Sequence, residues 1–184
     1  MRQRRDRGVT LVELLMVVSI IGLLLGILVP SVTGAKQMAV KSACATNLHQ
    51  VGIALQGYRG SNADRFPNAR YMPEPFLSID SDPSLPDLLD DYVASDGKVF
   101  KCPGDRGYVY ELSGSSYVYN TSLAGKRFDD VWFVKRLDLR EADVQVSYDF
   151  DGKRFELLSG SITVPTFHLR RNLLFADGHV GNFE

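Results

Sequence analysis

The strongest pattern in the chain is an apolar run from Val9 to Val29, in which Glu13 is the only charged side chain. At about 1.5 Å of rise per residue, those 21 residues span about 30 Å as a helix, the thickness of a bilayer core. Beyond Pro30 the pattern becomes amphipathic. Cys44, Leu48, Val51, Leu55 and Tyr58 recur at spacings of four, three, four and three, and form one apolar stripe. Lys36, Lys41, Asn47, Gln50 and Gln56 fall off it, and Gly57, Gly60 and Ser61-Asn62 read as stop signals. The pattern predicts one helix from about Val9 to Tyr58, with Pro30 expected to bend it by removing a backbone donor. Gly22 and Gly26 form a small-xxx-small pair that suits close helix approach, or are simply tolerated in a membrane helix.

Residues 59–107 read as a variable, proline-rich region. A short helix is expected over Leu85 to Val93, and a short strand over Val99 to Pro103. Residues 108–184 read as β-rich. Tyr108 to Leu112 and Tyr117 to Tyr119 flank a Ser-Gly-Ser turn, and Val131 to Leu137 is β-branched and aromatic. Val144, Val146, Tyr148 and Phe150 alternate with polar residues, as a half-buried strand does. Asp151-Gly152 and Asp177-Gly178 are hairpin signals, the first leading into Arg154 to Leu158, the second lying between Asn172 to Ala176 and His179 to Phe183. The expected class is α+β: a long N-terminal helix packed on a C-terminal antiparallel sheet.

Four arginines and one aspartate crowd Met1–Gly8, ahead of the apolar run. Basic residues on that side place the N-terminus in the cytoplasm and the rest outside. The run is longer than the usual secretory h-region, although Thr33-Gly34-Ala35 offers a small-residue cleavage site. A plain signal anchor explains length and flanks but not Glu13, since a charge at the centre of a membrane helix costs roughly 2.5–3.5 kcal/mol. The whole chain carries 21 basic and 22 acidic residues; without Met1–Gly8 it has 17 and 21, a net charge near −4. Such a domain is poorly suited to a nucleic-acid backbone, and Lys126-Arg127, Lys135-Arg136 and Arg170-Arg171 are dispersed among acids.

Arg7-Gly8-Val9-Thr10-Leu11-Val12-Glu13-Leu14-Leu15 resembles the processing site of type IV pilins and type II secretion pseudopilins. The resemblance implies cleavage between Gly8 and Val9 by a prepilin peptidase, and methylation of Val9. Most of that family has Phe at the position of Val9. Glu13 becomes the fifth mature residue, and Pro30 matches a helix-bending proline. A carboxylate in a low-dielectric layer needs a partner or a proton. A neighbouring subunit's Val9 ammonium supplies that partner on assembly, favouring one register. Further islands resemble a bacterial pseudopilin-like group. They are Cys44 with Asn47 to Gly52, Arg65-Phe66-Pro67, Cys102 to Asp105, Ser116-Tyr117, and His168 with Asn172 to Val180.

The layout expected is a leader at 1–8, a transmembrane and filament-core helix at 9–30, and a periplasmic pilin-like domain at 31–184, whose helix covers 31–58. Implied partners are copies of the chain, minor pseudopilins, an inner-membrane assembly platform and the prepilin peptidase. The function expected is a structural subunit of a type II secretion pseudopilus; a type IV pilus subunit and a membrane-tethered binding protein are the alternatives.

Cys44 and Cys102 make an even pair in an oxidising compartment and suggest one disulfide, worth about 4 kcal/mol on the chain-entropy view. Two separate buried thiols are the alternative. A zinc site joining them to His168 and His179 lacks ligand-pair spacing. Calcium is the best ligand idea, because Asp149, Asp151 and Asp177 are hard oxygen donors near turns, although their spacing matches no established loop. No nucleophile elbow, His-Glu-x-x-His or phosphate loop is found, so no enzyme is expected.

Overall fold

The computed structural model describes residues 10–76, 82–93, 98–150, 152, 154–157 and 160–182. Helix α1 covers Leu11–Ser61, and contacts group the chain into two units, Met1–Ala39 and Val40–Glu184. Pro30 lies within the helix. The apolar stripe is confirmed in the second unit: Cys44, Leu48, Val51 and Leu55 are buried and Tyr58 packs against them.

α1 outlasts its glycine stop signals. Gly57 is a packing glycine, since a Cβ there would lie 3.1 Å from the Tyr92 ring. The helix ends where side chains take its last carbonyls. Asn62 Nδ2 donates to Tyr58 O at 2.8 Å and Ser61 Oγ to Gly57 O at 3.3 Å. Ala63 and Asp64 then reverse the chain at positive φ, and the Asp64 amide returns to Arg59 O at 2.9 Å.

Helix α2, Leu85–Leu89, matches its expectation and runs into a 3-10 turn at Asp90–Tyr92. Three expected strands are helical instead. Residues around Val99 form a 3-10 turn, Lys98–Phe100, closed by Lys101 N to Lys98 O at 3.0 Å, so adjacent Val99 and Phe100 are both buried. Tyr110–Ser113 is helix α3, nucleated from outside its own sequence: the Asp105 carboxylate accepts the amides of Tyr108, Val109 and Tyr110. Trp132–Leu137 is helix α4, which buries Val131 and Val134 at helical spacing and leaves Trp132 and Leu137 exposed. β propensity lost there to burial at a period near 3.6.

The strands are β1 (Tyr117–Tyr119), β2 (Gln145–Asp149), β3 (Arg154–Leu157), β4 (Gly160–Thr163), β5 (Leu173–Phe175) and β6 (Val180–Gly181). β1-β2-β5-β6 form an antiparallel sheet, and β3-β4 a separate hairpin. The Asp177-Gly178 hairpin is as expected, with Gly178 at φ +89 and its amide on Phe175 O at 2.9 Å. The hairpin expected from the Asp151-Gly152 signal is not found among the described residues, where β2 pairs with β1 and β5 and β3 pairs with β4; Asp151 itself lies outside them.

The register of β2 shifts between Gln145 and Ser147 when it pairs with β5. This irregularity reverses the expected alternation. Val144 and Val146 join the core beneath α1, whereas Tyr148 and Phe150 join a second cluster with Met72, Phe76, Val109, Val118 and Val164. Ser147 and Asp149 are therefore buried, and Asp149 reaches Cys44 of the helix. The C-terminal hairpin is held on the same helix through its backbone: His49 Nδ1 meets Gly178 O at 3.0 Å and Gln56 Nε2 donates to Ala176 O at 2.9 Å. Buried Arg59 donates to Ala176 O and Glu141, and pairs with Asp64.

A Cβ at Gly52 would lie 2.8 Å from Leu174 Cδ1 and 3.3 Å from Gly178 O, whereas one at Gly60 meets nothing within 4 Å. Gly52→Val is expected to destabilise the globular unit by about 1–3 kcal/mol through overpacking. Gly60→Ala should be neutral or add up to about 1 kcal/mol. Urea unfolding of the full chain in detergent, followed by near-ultraviolet circular dichroism, measures both.

Candidate functional site

The first candidate region is the start of α1. Leu11, Leu15, Ile20, Leu24 and Leu28 are all exposed, as is every other described residue up to Val32. The helix is apolar and long enough to cross a membrane, and that stretch finds no cover among the described residues of its own chain. Its polar side chains are served locally: Ser19 Oγ donates to Leu15 O at 2.7 Å and Thr33 Oγ1 to Val29 O at 3.0 Å. Backbone and hydroxyl donors are thus satisfied inside one helix, as lipid demands. Gly22 and Gly26 leave open space beside the backbone, with nothing within 4 Å of an added Cβ.

Glu13 has an additional role that the sequence reading missed. Thr10 N and Thr10 Oγ1 donate to Glu13 Oε2 at 2.8 and 2.9 Å, and Glu13 N donates to Thr10 Oγ1 at 3.3 Å. This is a reciprocal capping box, and its signal was legible as Thr-x-x-Glu before an apolar run. Gly8 and Val9, the expected cleavage and methylation positions, lie outside the described residues.

The second candidate is buried in the globular unit. In the structure the Cys44 and Cys102 sulfurs are not bonded to each other, and they lie in one buried cluster rather than apart. One donor atom each from Cys44, Cys102, Asp149 and His168 lies within 4.8 Å of the other three. Cys44 Sγ is 3.1 Å from Asp149 Oδ1, Cys102 Sγ 3.2 Å from His168 Nε2, and His168 Nε2 3.9 Å from Asp149 Oδ2. Tyr117 Oη sits 3.4 Å from Cys44 Sγ. Burial, foremost, pushes the Cys44 thiol well above its usual range, and burial also raises the Tyr117 phenol. The hydrogen bond with Cys44 pulls the Cys102 thiol down.

Local sequence explains the convergence. Cys44 is on the buried stripe of α1, Cys102 opens the Pro103-Gly104-Asp105 turn, Asp149 ends β2 and His168 precedes β5. Gly104 allows the histidine in, since a Cβ there would lie 3.1 Å from His168 Cε1 and from Phe167 Cβ. Asp105, 3% exposed, holds the turn through three amides and Ser116 Oγ at 2.7 Å. His179 is elsewhere: its Nδ1 is 2.6 Å from Asp177 Oδ1, and its ring stacks on Phe175. His168 thus lies with Cys102 and Asp149, and Asp177 with His179. Partial burial works upward on the Asp177 carboxyl, and the His179 amide and ring outweigh it and hold it below its usual range. Asp149 and Asp177, named above as hard oxygen donors with no ligand assigned, thus have separate surroundings, and Asp151 is outside the described residues.

A family model described as the prokaryotic N-terminal methylation motif matches residues 3–29. Type II secretion system core protein G of Escherichia coli (strain K12) is 30% identical over 124 residues, covering 66% of this chain and 82% of that protein. The same-named protein of Klebsiella michiganensis is 29% identical over 113 residues, covering 61% and 76%. No solved structure matches. With an N-terminal methylation motif, a long apolar-to-amphipathic helix, an antiparallel sheet and this extended similarity, the chain belongs to the core protein G family of type II secretion pseudopilins.

Proposed function

We propose that this chain is a structural subunit of a periplasmic pseudopilus for protein secretion. It is anchored in the bacterial inner membrane by residues 9–30, with its N-terminus in the cytoplasm and residues 31–184 in the periplasm. A prepilin peptidase removes Met1–Gly8 and Val9 is methylated. Copies of the chain, minor pseudopilins and an inner-membrane platform are its assembly partners. The observation that carries this reading is the apolar half of α1, exposed along its length, with one carboxylate at its head.

Capping and assembly are compatible uses of Glu13. Thr10 engages Oε2 with both of its bonds, and an ionised carboxylate accepts about four. Oε1 is then a partner for a neighbour's Val9 ammonium. Pro30, by removing the backbone donor of its turn, lets the helix curve as it leaves the membrane.

Mass spectrometry of protein from membranes that contain the peptidase should show a chain beginning at methylated Val9; a start at Met1 supports a simple tether instead. Glu13→Ala should leave cleavage largely intact and strongly reduce fibres seen by electron microscopy, with stability of the helix start falling by about 1 kcal/mol at most from the lost cap. Unchanged fibres would remove the assembly role of the carboxylate.

A further inference from the structure

We propose that Cys44, Cys102, Asp149 and His168 form a structural zinc site that joins helix α1 to the sheet. The four residues are far apart in sequence and come from α1, the turn after Phe100, the end of β2 and the loop before β5. All are buried, at 0% exposure for both cysteines and Asp149 and 9% for His168. The donor set is two sulfurs, one imidazole nitrogen and one carboxylate oxygen, the types that bind zinc at four-coordinate sites. Calcium and magnesium require six or more oxygens, and iron–sulfur clusters commonly take four thiolates, so neither suits this set.

The donors already lie close to the geometry of a zinc site. Zinc–sulfur and zinc–nitrogen bonds of about 2.3 and 2.0 Å in a tetrahedron place neighbouring donors roughly 3.3–3.8 Å apart. The Cys44 Sγ–Asp149 Oδ1 and Cys102 Sγ–His168 Nε2 separations of 3.1 and 3.2 Å fall just short of that range, and all four donors lie within 4.8 Å of one another. Four protein donors leave no open position, which marks a closed, structural site.

An outer shell is already in place. Asn172 N donates to Asp149 Oδ2 at 2.8 Å, leaving Oδ1 as the carboxylate ligand. Gly104 N donates to Cys102 Sγ at 3.3 Å, and Tyr117 Oη lies against Cys44 Sγ. Such contacts orient ligands and stabilise thiolates. Binding converts two thiols to thiolates and releases their protons, without any change of oxidation state. Zinc and a Cys44–Cys102 disulfide are mutually exclusive fates of the same sulfurs, so occupancy also keeps the pair reduced in an oxidising compartment.

The test uses the full chain extracted from membranes in detergent without chelator. Inductively coupled plasma mass spectrometry should find stoichiometric zinc, and alkylation after denaturation in chelator should modify both cysteines. Asp149→Asn and His168→Gln should each lower zinc affinity by tenfold or more. Cobalt added to the metal-free chain should give tetrahedral d–d bands and a thiolate charge-transfer band, which Cys102→Ser weakens. A natively folded chain with no zinc and no cobalt spectrum overturns the proposal. So does a Cys44–Cys102 disulfide in the isolated protein, or another metal bound in place of zinc.

Discussion

The apolar half of α1 finds no cover among the described residues of its own chain, and the proposed function rests on that. Each large aliphatic side chain removed from water contributes about 1.5–3 kcal/mol, and the segment from Leu11 to Val29 holds more than a dozen of them. A single carboxylate at a cost of roughly 2.5–3.5 kcal/mol cannot keep such a helix out of a bilayer. Glu13 therefore does not decide whether the segment inserts. Its energy is of the size that selects one arrangement among several similar ones, as a cap on its own helix and, in the proposed assembly, as the partner of a neighbouring terminus.

The second half of α1 solves a different problem. It is covered by its own sheet, and polar groups fix where. His49, Gln56 and Arg59 reach backbone carbonyls of the C-terminal hairpin, and Cys44 reaches Asp149. The bulged register of β2 is what brings Asp149 to that face. The islands that resemble other pseudopilin-like chains also meet here: Cys44, the Cys102–Asp105 turn, Tyr117, His168 and Asn172 all touch the thiol cluster or its supports. A buried polar assembly of this kind fixes the orientation of helix on sheet more sharply than apolar packing alone.

Much of this was legible in the chain. The membrane-length run, the buried stripe and the Asp177-Gly178 hairpin follow from hydrophobic period and turn chemistry, both local signals. Thr10 as a cap was equally local, but Glu13 was read only as an intersubunit group. The misread strands at Val99, Tyr108 and Val131 are short β-branched or aromatic stretches whose propensity is outweighed by other contacts: a turn bond from Lys101 N to Lys98 O, the Asp105 carboxylate on the amides of Tyr108 to Tyr110, and the burial of Val131 and Val134. The thiol cluster was hidden for a related reason. Its ligands have no paired spacing, and a single irregularity in β2 puts Asp149, rather than His179, beside the cysteines. Register of that kind depends on both strands at once and leaves little trace in either.

The central claim is that the apolar helix passes from lipid into a shared core built from copies of itself. A photo-reactive amino acid placed at Val17, in cells that also make the assembly machinery, tests it directly. Irradiation should yield a ladder of chain-to-chain adducts through that position. Recovery of the uncrosslinked monomer alone, under conditions where secretion proceeds, would contradict it.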